Sequence, residues 1–399
     1  MNTDGLLIDL RVLRYLLPDQ SPSEAARTTL RQNMKNRPAF LLALLGALLL
    51  APVATAAQAA SAGPSSEAKP QSPAQAKAGD ANRAVTLDVV VTDKSGKPVP
   101  GLKVQDFMVL DNKAPRDILS FHEAEEASAN ADPPVEVYLL VDMINLGFVS
   151  SADERRNIAE YLKGSGGHLA VPTSFIFLTD TGLKFQKQPT QDANILLANL
   201  ESNPTSQSAS RDASGYNGVA QRREKSLQAL DVLAVNLSKK PGRKLVIWLS
   251  PGWAAFSHAT NQKTRAELQV LFNYIVAVST VLTEARITLY SVDPLGASYI
   301  NKDNFYYKDF LKGVAFPKDG DNADLMLQVL ATQTGGKVVF GSNDTASMIN
   351  ECLADAGAFY VLTYNAPPAT HTNEYHGIEV KVDNPGLKAR TRTGYYAQP

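Results

Sequence analysis

The chain has 399 residues, with 39 Lys+Arg against 40 Asp+Glu and a formal net charge of -1, and that length accommodates about two domains. A hydrophobic fraction of 44% suits a globular core, while the charge balance argues against a nucleic-acid groove or a polybasic membrane surface as the main business. A single cysteine, Cys352, excludes an internal disulfide framework and a cysteine-based zinc site.

Residues Phe40 to Ala51 read FLLALLGALLLA, an uncharged run too short for a comfortable membrane span. Lys35 and Arg37 precede it and the small residues of APVATAAQAAS follow it. This pattern predicts a secretory signal peptide over 34–59, cleaved after Ala56 or Ala59, with Met34 as a normal start and 1–33 as an upstream misassigned extension. Export to the periplasm, the exterior or the cell envelope is the expectation, with no stable membrane span after cleavage. Residues 60–83 are rich in Ala, Ser, Pro, Gln, Lys and Gly, and they are read as a disordered linker.

From Ala84 the pattern alternates. Val85, Leu87, Val89 and Val91 predict a half-buried strand, Phe107 to Leu110 a second after the turn cluster DKSGKP, and Ile118 to Phe121 a third after DNKAP. The polar EAEEASANADPP reads as a linker. VEVYLLVD is nearly continuous in apolar residues, as for a strand covered on both faces. Then come a helix over Asp153–Lys163 closed by GSGG, a buried strand SFIFLTD with LKFQKQ as its edge partner, helices over Asp192–Leu200 and Arg222–Leu237, and a buried strand KLVIWLS. A long helix over Thr264–Glu284, a strand RITLYSVD, a helix over Asp324–Thr334, a short strand KVVF and a helix over Thr345–Ala356 follow. Strands alternating with helices predict a parallel sheet wrapped on both faces. FYVLTY, the alternating Ile378, Val380 and Val382, and a final strand LKARTRTGYY return to the β style.

The run VYLLVDMINLGF, the helix DERRNIAEYLK, the segment PGRKLVIWLSPGW and the strand ITLYSVDP resemble a von Willebrand factor A domain. More narrowly, residues 84–397, with their opening DFMVLDNKAPRDILSF and closing YHGIEVKVDNPGLKARTRTGYY, resemble the VWFA-related proteins of acidobacterial type. The resemblance implies a doubly wound α/β domain used for adhesion or protein contact, with ligand met by a metal ion at the carboxyl ends of the parallel strands. The expected architecture is thus an α/β domain over 134–357, inserted into a β-sandwich-like module formed by 84–122 plus 358–397.

The family's metal motif is D-x-S-x-S, whose carboxylate and hydroxyls suit a hard cation. Here it reads Asp142-Met143-Ile144-Asn145-Leu146. Asp142 matches; Ile144 and Leu146 cannot ligate, and Asn145 is out of step by one residue. Where the family has a fourth-strand aspartate the chain has Ser250, and for the family's intervening-loop threonine the loop RDASGYNGV offers Asp212 and Ser214, which spacing alone does not assign. The expectation is no cofactor, a degenerate metal site with at most weak Mg²⁺ affinity, and Asp142 as a polar strand end bonded to backbone amides.

Other chemistry is thin. Ser250, His258 and Asp293 contain the types of a hydrolase triad, but LSPGW lacks the G-x-S-x-G glycine. DGDNAD (319–324) lacks the glycine and glutamate of a calcium loop, and Asp321 or Asn322 reads as a helix cap. Gly164, Gly166 and Gly167 read as a helix C-cap, and His122, His371 and His376 as ordinary surface or core histidines. Trp248 reads as core; Trp253 and Phe256 suit either exposed anchors or packing under a loop. The reading is a non-enzymatic, exported binding protein presenting Asp142, Asn145, Ser250 and Trp253 to an unknown protein partner, with no nucleic acid involved. Its rivals are an envelope serine hydrolase using Ser250 and His258, and a purely structural envelope component.

Overall fold

The structure, a computed structural model, describes residues 83–124, 133, 135–204, 208–253, 263–300 and 302–399. The expected signal peptide and extension, nearly all of the linker over 60–83, most of EAEEASANADPP, Phe256 and His258 lie outside the described residues.

Three sheets organise the described chain. The central one is seven-stranded and contains β5 (Glu136–Asp142), β6 (His168–Thr179), β7 (Gly182–Phe185), β8 (Thr190–Asp192), β9 (Lys244–Leu249), β10 (Ile287–Val292) and β11 (Val338–Val339). Its main path runs β11-β10-β9-β5-β6-β7; β5, β6, β9, β10 and β11 are parallel, while β7 and β8 run antiparallel to β6. Counted along the chain without the side strand β8, this is the doubly wound order 3-2-1-4-5-6, in which the winding reverses between β5 and β9.

Helices cover both faces. One face carries α1 (Phe148–Gly164), α2 (Ala193–Ser202) and α7 (Thr345–Gly357), whose Ile158, Leu162, Leu196, Met348 and Cys352 pack on Val137, Leu139 and Val141 of β5. A short helix α3 (Ala209–Asp212) leads into α4 (Gly215–Leu237), which with α5 (Arg265–Glu284) and α6 (Leu327–Gln333) covers the other face. There Leu230, Leu233, Ile275 and Leu330 meet Tyr138 and Leu140, the alternate residues of β5. α5 is long and apolar enough to cross a membrane by length and composition, yet Leu271, Phe272, Ile275, Val278 and Leu282 are buried in this core.

The helix starts have local causes. Thr264 caps α5 by accepting from Glu267 N, while the Glu267 carboxylate accepts from Thr264 N, a reciprocal capping box. Asp192 caps α2 and Asp344 caps α7 in the same sense. Asp321 caps a 3-10 turn over Asn322–Leu325 rather than α6 itself, whose preceding residue Met326 offers no side-chain acceptor. α1 and α4 begin five and seven residues before their expected starts at Asp153 and Arg222, because FVSSA and GYNGVAQ carry no apolar stripe for periodicity to find.

The flanking segments form two four-stranded antiparallel sheets. In the first, β1 (Ala84–Thr92) lies between β12 (Tyr360–Asn365) and β14 (Lys388–Arg390), and β12 also pairs with β4 (Ile118–Glu123). In the second, β2 (Phe107–Asp111) lies between β3 (Ala114–Arg116) and β13 (Glu374–Val382), which pairs with β15 (Gly394–Ala397). Leu87, Val89 and Tyr360 of the first join Val109, Ile378 and Val380 of the second in one hydrophobic cluster. The β2–β3 turn is the two residues Asn112 and Lys113, at φ 49 and φ 67, the left-handed pair that a tight hairpin requires. The expected single strand LKARTRTGYY is two strands in different sheets. The chain leaves the first sheet at Thr391–Thr393, where Thr393 N donates to Gln333 O (3.0 Å) instead of to a strand partner.

Candidate functional site

In an open α/β sheet, the reversal of winding opens a crevice at the carboxyl ends of the two strands beside it. Those ends here are Asp142 of β5 and Ser250, one residue beyond β9. The crevice is closed by the chain's own hydrogen bonds. Asp142 is 0% exposed, and its Oδ1 accepts from Ile144 N (3.1 Å) and Asn145 N (3.0 Å). Its Oδ2 accepts from Asn145 Nδ2 (2.8 Å) and from Trp248 Nε1 (3.1 Å) across the reversal point. Asn145 Nδ2 also donates to Ser226 Oγ on α4 (2.9 Å), tying the turn to the helix behind it. Four donors on one carboxylate leave little for a ligand, and Ile144 and Leu146, two and four residues further on, are buried and carry no side-chain oxygen.

Ser250 is also fully buried; its N donates to Val292 O (2.8 Å) and its Oγ accepts from Gly252 N (3.0 Å). Gly252 sits at φ 81, which completes this tight turn without the strain a side chain would bring. Ser214 is exposed just before α4. Asp212 is exposed as well, 3.9 Å from Arg211. Asp293 Oδ1 accepts from Leu295 N (3.0 Å), and burial raises its carboxyl above the ordinary value.

Trp253 corrects the sequence-based expectation of an exposed anchor. It is 2% exposed, its ring lies 5.4 Å from that of Trp248, and its Nε1 donates to Leu325 O (3.1 Å). An indole with its one donor satisfied inside the core has nothing left to present to a partner. The exposed apolar side chains of this face follow β5 instead: Phe148 is 53% and Val149 71% exposed at the start of α1. The Arg211 guanidinium lies 5.5 Å from the Phe148 ring centre, and Arg211 Nη1 donates to Met143 O (3.2 Å), which fixes the aromatic rim to the strand end.

Sequence reasoning also missed Glu154. It is 1% exposed on α1, and neither carboxyl oxygen has a hydrogen-bond partner; the buried Oγ of Ser151, one turn earlier, has none either. Burial, then the charges of Asp142 and Asp293, push its carboxyl well above the ordinary value against the opposing charge of Arg155. The signal was present in the spacing: Ser151, Glu154, Ile158 and Leu162 form the inner stripe of α1. A carboxyl that holds its proton more tightly when folded makes stability fall as the pH rises above its unfolded value of about 4.5. Asp231 and Asp324, both raised by burial to about 6, give the same sign, but their share of the slope ends near that pH. Denaturant unfolding of the Glu154→Gln variant is therefore expected to show a shallower decline in stability than the parent as the pH rises above about 4.5. Glu154→Leu, which replaces an unpartnered polar group by an apolar one, should add about 1–3 kcal/mol at pH 7.

Fold and site together define an α/β protein whose reversal-point crevice is sealed by its own side chains and rimmed by exposed apolar residues. No family model matches the chain, and no curated protein matches it. Among solved structures, it is similar to proximal thread matrix protein 1 from the mussel byssus (TM-score 0.27, 11% identity, covering 56% of this chain and 48% of that one). It is also similar to the PilB minor pilin from Streptococcus sanguinis (TM-score 0.31, 10% identity, 57% and 63%) and to a von Willebrand factor type A structure from Catenulispora acidiphila (TM-score 0.30, 9% identity, 79% and 75%). The match thus spans about half the length of the mussel protein. At TM-scores of 0.27 to 0.31 these likenesses assign neither a family nor an activity.

Proposed function

We propose that the chain is an exported, non-enzymatic protein-binding protein of the von Willebrand factor A-like type, in which the metal site has degenerated. The observation that carries this reading is the saturation of Asp142 by four internal donors, with buried Ile144 and Leu146 at the hydroxyl positions. The strand pairs shared by both flanking segments, and their common hydrophobic cluster, support a β-sandwich-like module carrying the α/β domain. The partner surface is the rim around the carboxyl ends of the strands, with Phe148 and Val149 as anchors, while Asp142, Asn145 and Ser250 hold the rim from beneath. No cofactor is needed for such a contact.

The test is capture of partners from the envelope fraction of the source cells by the tagged, full chain. Equal capture in EDTA and in Mg²⁺ is expected. Phe148→Ala should weaken it about 30-fold, the effect of losing an aromatic hot spot of about 2 kcal/mol, without shifting the unfolding midpoint. Capture that requires Mg²⁺ and is lost in Asp142→Ala would overturn the metal-free reading, and labelling of Ser250 by a fluorophosphonate would overturn the non-enzymatic one.

A further inference from the structure

Where the first flanking sheet meets the α/β domain, the structure contains a polar cavity of about 30 Å³. Thr86, Asp88, Thr391 and Arg392 line it from the sheet side; Arg243, Arg286 and Thr334 are among the residues lining it from the α/β side. Its charged lining is three guanidinium groups and one carboxylate. The carboxylate is committed: Asp88 accepts from Arg286 through both Nε (3.2 Å) and Nη2. Arg392 Nη2 donates to Thr86 O (2.7 Å), and Arg243 Nη1 donates to Asp355 O (2.8 Å). Three buried polar atoms of lining residues are left without a partner: Nε of Arg243, Nε of Arg392 and Oγ1 of Thr391. Arg243 is itself only 2% exposed.

We infer that this cavity binds a single monatomic anion, chloride in solution, which bridges the flanking sheet to the α/β domain. The unpartnered atoms are two N–H donors and a hydroxyl able to donate, so the ligand they call for is an acceptor. Water would satisfy donors, but it would leave the excess positive charge uncompensated in a largely buried place, and that is costly. One water needs at least about 10–15 Å³ of such space, so the water-sized space of about 30 Å³ fits one or two small atoms, which favours a monatomic anion over a sulfate or phosphate.

The test is thermal unfolding of the full chain at fixed ionic strength in sodium chloride, bromide and gluconate, with crystals grown in bromide. A ligand held at tenfold its dissociation constant should raise the midpoint by about 2 °C in both halides over gluconate, saturably. Arg392→Met should abolish the halide-specific rise. Thr391→Val, which removes one donor and no charge, should weaken halide affinity about tenfold and serves if the arginine variant fails to fold. Bromide should give an anomalous peak within hydrogen-bond reach of the Arg243 and Arg392 Nε atoms. Equal midpoints in all three salts, or a cavity without an anomalous peak, overturn the proposal; so does a halide effect that Thr391→Val and Arg392→Met both retain.

Discussion

Asp355→Ala is expected to destabilise the protein by about 3–5 kcal/mol, the cost of removing one partner from a buried ion pair. Asp355 lies on α7 and is 0% exposed. Its Oδ2 accepts from Tyr290 OH on β10 (2.8 Å) and pairs with Arg390 of β14; Lys337 approaches to 3.5 Å. Removing the carboxylate leaves a buried phenol without its acceptor and two cations without their common counter-charge. The double variant Asp355→Leu, Arg390→Met should recover most of the loss, since replacing a whole buried pair by apolar groups is often nearly neutral. Urea unfolding checks this: the midpoint should fall sharply in the single variant and return in the double one, at constant slope.

Trp253→Ala should cost a similar amount, about 3–5 kcal/mol, as for large aromatic truncations in a core. The indole fills the space beside Trp248 and satisfies Leu325 O, and an alanine supplies neither volume nor donor. Trp253→Phe keeps much of the volume and loses the hydrogen bond, so it should cost less than half as much. Chemical denaturation orders the three proteins. A Trp253→Ala chain as stable as the parent would mean that this indole lies outside the core.

Trp253 also shows where sequence reasoning stops. The unbroken runs VYLLV and KLVIWL announce strands covered on both faces, because every residue in them must meet a helix or a neighbouring strand. That Ile144 and Leu146 cannot ligate a metal is legible in the same way, since side-chain chemistry alone decides it. Trp253 depends instead on a carbonyl 72 residues further on, and no local pattern reports that. Glu154 stood in the right stripe of its helix, but a glutamate among DERR reads as surface unless each position of the stripe is checked. LKARTRTGYY alternates like one strand; its division between two sheets is set by where β1 and β13 lie, and those positions are tertiary. The cluster of Arg243, Arg286 and Arg392 is of the same kind, assembled from distant segments that carry no shared motif.

The flanking sheets impose an order on folding. Thr86 of β1 bonds Thr363 of β12 across 277 residues of chain. At about 5–20 residues per second of synthesis, β1 therefore waits tens of seconds for its partner to exist. Through that interval β1 and β2 lack β12, β13 and β14, so their hydrogen-bonding edges and the alternating faces of Leu87, Val89 and Val109 are without the strands that cover them. The central sheet has all of its strands in one continuous stretch and can close first, bringing its two ends together and shortening the remaining search. Truncation before Tyr360 would fix the waiting state permanently. Such a chain should aggregate through β1 and β2 even with an intact α/β domain, which makes the last forty residues a folding requirement for the first strands of the protein.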